Sequence, residues 1–162
     1  CLTCSTGEGH DNALKGIIVQ FDLTFSNKAW VEAERYHFLD FISSQSTMHK
    51  LNKFKIADQC NAYVDQRVID VLQELVDKYN ELLERQKNGE NVSIETIKTA
   101  RLKMLYNTPA GFELTAGMTT NYQQLKTIYQ QRRHHALPDW QMFCDWCLTL
   151  PLFTELCVER NK

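Results

Sequence analysis

Three clusters of side chains in this 162-residue chain have the types and spacing that chemistry needs. The first is a pair of Cys-x-x-Cys elements, Cys1/Cys4 and Cys144/Cys147. Each can clamp two thiolates on one ion, and the two together would close a tetrahedral zinc site. They lie about 140 positions apart, much farther than in ribbon-type zinc knuckles. Cys144 and Cys147 also share a helical face with Trp140 and Phe143, where thiols pack as small apolar groups. Core cysteines are the expectation, and no metal is assigned. The second cluster, "KTIYQQRRHH" at 126–135, gathers Lys126, Arg132, Arg133, His134 and His135. Arginine forks match phosphate geometry, and cations equally complement the carboxyl end of a helix. Adjacent His134 and His135 diverge by about 100° on a helix, so they cannot share one metal. The third is the polar knot "ISSQSTMHKL" at 42–51, directly after an apolar stretch. Neither an H-x-x-x-H pair, a Walker loop nor a G-x-S-x-G elbow occurs, which argues against P-loop and common hydrolase chemistry.

Composition sets the bounds around these clusters. A chain of this length is long enough to bury a real core, and a single domain over 1–162 is expected. Hydrophobic content is 43%, charged content 23% and formal charge −2, values ordinary for a globular protein. That balance gives no global drive toward nucleic acid, and the basic run is too short for an extended nucleic-acid surface. Apolar runs fall short of the roughly 20 residues a membrane span needs. Six cysteines in a chain with this much core point to free thiols and a cytoplasmic setting rather than a disulfide framework.

The elements that must position the clusters follow from periodicity. "GIIVQFDLTF" at 16–25 alternates strictly, with Ile17, Val19, Phe21, Leu23 and Phe25 on one face, and predicts a half-buried strand. Ser26 and Asn27 then offer a cap, and Trp30, Ala33, His37, Phe41 and Ile42 recur at helical steps. Extending that face to Gln45 and Met48 predicts one long helix, with the polar knot at its carboxyl end. "DQRVIDVLQELVDKYNELLERQ" carries the stripe Val68, Leu72, Leu75, Tyr79 and Leu82, and Asn88-Gly89 stops it. Ser93 and Thr96 start the next helix, which runs to about Tyr106. "NTPAG" breaks the chain at 107–111, and "FELTAGMTT" is either a short strand or a tight segment around Gly117. Asn121 caps a helix through Leu125, Ile128 and Tyr129, and Pro138 opens the last helix. The expected class is α+β, a mostly helical domain with a small sheet, because one strand cannot satisfy its own backbone.

Taken in order, four segments resemble the flavin-dependent thymidylate synthases, FAD enzymes that methylate dUMP. "GHD" at 9–11 before the strand ending "FDLTF" is similar to that family's Gly-His segment and Phe-Thr-Phe-type strand. "QSTMHKL" at 45–51 resembles its Gln-x-x-Arg-His-Arg signature, and "DQCNAYV" at 58–64 its Glu-x-Ser-x-Arg-Tyr element. "NYQQL" at 121–125 is similar to its Asn-x-Arg-x-Leu segment. The chain departs from the pattern at Met48, Ala62 and Gln123, where the family has arginine, and at Cys60, where it has serine.

The resemblance implies a homotetramer with sites formed between subunits. It implies that Gln45 holds a pyrimidine nucleotide, that His49 and Lys50 stand beside the flavin, and that Asn121 reaches the flavin of a neighbouring subunit. Arg132 and Arg133 are candidate replacement cations for the nucleotide, and Arg35 is a third. NADPH and methylenetetrahydrofolate would be co-substrates if turnover is retained. A charge-assisted phosphate contact contributes about 1.5–3 kcal/mol, so three missing arginines also support an inactive nucleotide- or partner-binding protein on the same scaffold. Such compact copies suit viruses or mobile elements. A helical interaction domain without any small ligand is the third reading.

Overall fold

Alternating burial fixes the first strand, β1 (Ile18–Ser26). Val19, Phe21, Leu23 and Phe25 turn inward, while Ile18, Gln20, Asp22 and Thr24 turn out, as the period-two pattern requires. The computed structural model describes residues 11–45 and 50–158. They form two compact units, one of residues 11–25, 29–44 and 115–158, the other of 26–28, 45 and 50–114.

The first unit is built on a three-stranded sheet of order β1-β3-β2, with β3 (Glu113–Asn121) in the middle and β2 (Asp40–Ser44) at an edge. Tyr122 N donates to Ile17 O at 3.0 Å, and the hydroxyls of Thr24 and Thr115 meet at 2.7 Å. Those pairings run in opposite directions along the two strands, so β1 and β3 are antiparallel. β2 pairs antiparallel with β3 through Asp40–Thr119 and Phe41–Met118, then shifts register past Ile42 to Ser43–Gly117. The extra residue is a β-bulge.

The long helix expected from Asn27 to Met48 does not form. α1 spans only Asn27–Ala33, and β2 occupies the stretch assigned to its later turns. Bonds from Arg35 N to Glu32 O and Tyr36 N to Ala33 O tighten and end the helix, and Thr120 Oγ1 donates to Phe38 O at 2.6 Å. Pairing with a strand some 80 positions away thus overrides a helical spacing that arose by coincidence. Met48 and His49 lie outside the described residues.

α5 (Tyr122–Arg132) and α6 (Pro138–Leu148) follow β3. Phe25 makes an edge contact with Trp140 at 4.9 Å and lies 5.4 Å from Trp30, and Phe21 lies 4.3 Å from Trp146. This core is aromatic.

In the second unit, a single turn, α2 (Ile56–Gln59), precedes the helical hairpin of α3 (Gln66–Lys87) and α4 (Ile94–Tyr106). Asp65 caps α3 by accepting from Arg67 N, and Ser93 caps α4 by accepting from Thr96 N. Asn88 closes α3, and Gly89 takes φ +84°, where a side chain would strain the backbone. Leu51, Ile56, Leu72, Val76, Met104 and Phe112 form a largely aliphatic core. Val68, placed on the buried stripe by periodicity, is 41% exposed. Among the described residues no helix is long and apolar enough to cross a membrane.

Candidate functional site

The first unit gathers its polar chemistry along α5. Asn121 ends β3 and caps α5, its Oδ1 accepting from Gln124 N at 2.9 Å. Its Nδ2 makes no hydrogen bond among the described residues, and the side chain is half-buried where strand passes into helix. Nearby on the sheet's outer face, Gly117 sits between Asp22 and Ser43. A Cβ there would lie 2.8 Å from Ser43 Oγ, so a larger residue would force the Ser43 hydroxyl to turn away.

At the start of α5, Gln123 Nε2 donates to Asp11 Oδ1 at 3.2 Å, and one turn on Lys126 Nζ donates to Asp11 Oδ2 at 3.3 Å. Asp11 and Lys126 are 2% and 4% exposed. Burial alone would push the Asp11 carboxyl up. Hydrogen bonds from Gln123 and Lys126, with the ammonium's charge, outweigh burial and hold it below the usual carboxylate range. Gln123, which stands where the resemblance expects an arginine, therefore serves a buried carboxylate.

At the other end of α5, one oxygen organises the basic run. Glu32 Oε2 accepts from Arg132 Nη1 and Trp140 Nε1, each at 3.0 Å, with His135 Nε2 3.3 Å away. His135 Nδ1 accepts from Leu137 N, which places the ring proton on Nε2. Arg132 Nε donates to the Tyr36 hydroxyl, which donates to Gln131 Oε1, and the guanidinium lies 4.7 Å from the Trp140 ring centroid. Arg132 is thus held by a carboxylate, a phenol and an aromatic face. Arg133, the next residue, is exposed and has no ion pair among the described residues.

Asn121 and Arg132 are therefore not brought together: eleven positions of helix separate them, about 16 Å at 1.5 Å per residue. Gln45, just after β2, and Lys50, exposed before the 3₁₀ turn Leu51–Lys53, belong to the second unit. His49 lies outside the described residues. Exposed Arg35 follows α1.

Cys144 and Cys147 are buried on the inner side of α6, as their helical face implied, and Cys157 is buried as well. Burial pushes the Cys144 and Cys157 thiols each up to about 11 and raises Cys147 further, so all three are protonated near neutral pH. Cys1 and Cys4 lie outside the described residues. Sequence reasoning missed Glu32, Tyr36 and the Asp11–Lys126 pair, whose members lie about 100 positions apart with no local signal.

No protein-family model matches the chain, and no curated protein matches it in sequence. Its structure is similar to thymidylate synthase X from Helicobacter pylori solved with FAD and dUMP. The TM-score is 0.65 at 15% identity, over 93% of this chain and 75% of that one. A second structure of the H. pylori flavin-dependent enzyme, also with FAD and dUMP, gives 0.64 at 17% identity over the same shares. Together with the α+β architecture, this shows that the chain has the fold of the flavin-dependent thymidylate synthases.

Proposed function

We propose that this chain is a divergent flavin-dependent thymidylate synthase-like protein that binds FAD and a pyrimidine deoxynucleotide of the dUMP type. The carrying observation is the likeness, over 93% of the chain, to an enzyme solved with both ligands. The residues fit such ligands in kind. His49 and Lys50 supply polar and cationic groups to the flavin, and a neighbouring subunit's Asn121 offers its amide to a flavin carbonyl. Gln45 pairs with the pyrimidine edge. Arg133 offers an exposed guanidinium to a phosphate. Arg132, turned inward and braced by Glu32 and Trp140, would serve as the second cation only from behind Arg133.

When bound, the flavin supplies hydride chemistry, and this chain's residues bind, orient and neutralise. NADPH and methylenetetrahydrofolate complete the set only if methyl transfer is retained. A homotetramer that completes each site with a neighbour's Asn121, a single domain over 1–162 and a cytoplasmic location belong to the same proposal.

Purified protein mixed with FAD should show a perturbed visible flavin spectrum and a tetrameric mass by light scattering. An unperturbed spectrum at tens of micromolar would remove the flavin reading. One observation favours a second reading, a nucleotide binder without turnover: Gln123 is engaged with buried Asp11 and carries no charge to a ligand. A dUMP-dependent rise in melting temperature with no response to FAD would select it. Ligand at 100 times its dissociation constant stabilises by about 2.7 kcal/mol, well within reach of a thermal shift.

A further inference from the structure

The helical hairpin of the second unit carries an open trough of about 470 Å³ between α3 and α4, a volume in the range of small-molecule sites. Its α3 wall is Leu75, Lys78 and Leu82, spaced by three and four residues and so on one face. On α4 the wall is Thr99, Ala100 and Lys103, where small side chains leave the space that larger ones would fill. Leu82 is buried and Leu75 and Ala100 half-buried, which gives the trough an apolar floor.

The polar groups around it are not equivalent. Ser93 and Thr96 are spent on capping α4, with Ser93 Oγ accepting from Thr96 N and meeting Thr96 Oγ1 at 2.8 Å. Glu95, the one carboxylate on the wall, pairs with Lys98 at the far end of α4 from Lys103. Eight positions separate Glu95 from Lys103, roughly 12 Å along the helix. Lys103 has no carboxylate within ion-pair distance among the described residues. Among the described residues Lys78 pairs with solvent-exposed Glu81 alone, at 3.3 Å, a pair that water and competing anions readily exchange. Positive charge therefore gathers away from Glu95. From Leu75 to Leu82 the floor runs seven positions, roughly 10 Å.

The geometry points to a binding site for a small amphipathic monoanion, a carboxylate held by Lys103 and Lys78 with an apolar body of medium-chain length along Leu75, Leu82 and Ala100. This site lies wholly within the hairpin and does not depend on the flavin reading. The test is a titration of the full chain with octanoate, followed through the methyl resonances of Leu75, Leu82 and Ala100. Saturable shifts confined to α3 and α4 in low-millimolar octanoate are expected. They should vanish in Ala100→Trp, which fills the trough, and weaken roughly tenfold in Lys103→Glu. Octyltrimethylammonium, with a tail of similar length and the opposite charge, should not reproduce them. Absence of saturable shifts, shifts that survive Ala100→Trp, or equal binding of the cation would each overturn the assignment. Should Ala100→Trp fail to fold, Lys103→Glu decides alone, because it changes an exposed side chain and leaves the core intact.

Discussion

The two units bury charge in opposite ways. In the first, Lys126–Asp11 has side chains 5% and 4% exposed, and Arg132–Glu32 is mostly buried too. In the second, the ion pairs seen among the described residues lie at the solvent-exposed surface, as in Lys78–Glu81 and Lys55–Asp58. The cores differ in the same sense: rings around Phe25 and Trp140 in one, aliphatic side chains around Leu72 and Val76 in the other. A buried pair strands a charge when one partner goes, whereas an exposed pair returns its survivor to water. The first unit should therefore be brittle toward charge deletion and the second tolerant of it.

The sharpest break of that contrast is Lys126→Ala. It leaves the Asp11 carboxylate buried beside the neutral Gln123 amide with no cation to compensate its charge, and should cost about 3–5 kcal/mol in urea unfolding. Replacing both partners, as Asp11→Asn with Lys126→Met, should recover much of that loss; equal damage from single and double variants would show that the pair is not coupled. The same carboxyl gives a pH signature. Its folded pKa is lowered, so its contribution is complete above the unfolded value near 4 and is lost as pH falls through the folded one. Asp11→Asn should flatten stability loss on the acid side, read from unfolding midpoints between about pH 5 and pH 2.

A smaller effect is expected at the other buried pair. Glu32→Gln keeps the shape but removes the charge facing Arg132, and the half-buried guanidinium retains Tyr36 and the Trp140 face. A loss of about 1–3 kcal/mol should follow, together with a change in tryptophan emission, because Trp140 Nε1 donates to the same oxygen. An unchanged spectrum would mean that Glu32 does not organise the cluster.

These same features mark where the sequence was readable. β1, both hairpin helices, the Ser93 cap and the Asn121 cap were visible because their signals are local: period two, period three to four, and an oxygen-bearing side chain at a helix start. α1 was overextended because Phe41 and Ile42 happen to continue a helical phase, while the β3 backbone that claims them lies some 80 positions away. β3 itself was ambiguous, since its Thr, Ala and Gly residues give weak amphipathic contrast despite a central place in the sheet. At the site, the missing arginine at Gln123 was plain, but its commitment to Asp11 was not. Arg132 and Arg133 point about 100° apart, so the two need not share an environment; only the fold, through Glu32 and Trp140, turns Arg132 inward.

The mildest prediction sharpens the contrast from the tolerant side. Lys78 and Glu81 meet at 3.3 Å one helical turn apart, with side chains 57% and 54% exposed. Water solvates both charges when they separate, and holding two long side chains in one geometry costs rotamer entropy. A double-mutant cycle with alanine at both positions should therefore give a coupling of no more than about 0.5 kcal/mol, shrinking further in high salt. A coupling several times larger would mean that the trough beside Lys78 is drier than its exposure indicates. In that event Lys78 would be less available to an incoming carboxylate, and octanoate affinity in Glu81→Ala should rise as the competing partner is removed. If the coupling is small, removing Glu81 should leave octanoate affinity nearly unchanged, and Lys103 would carry the charge recognition.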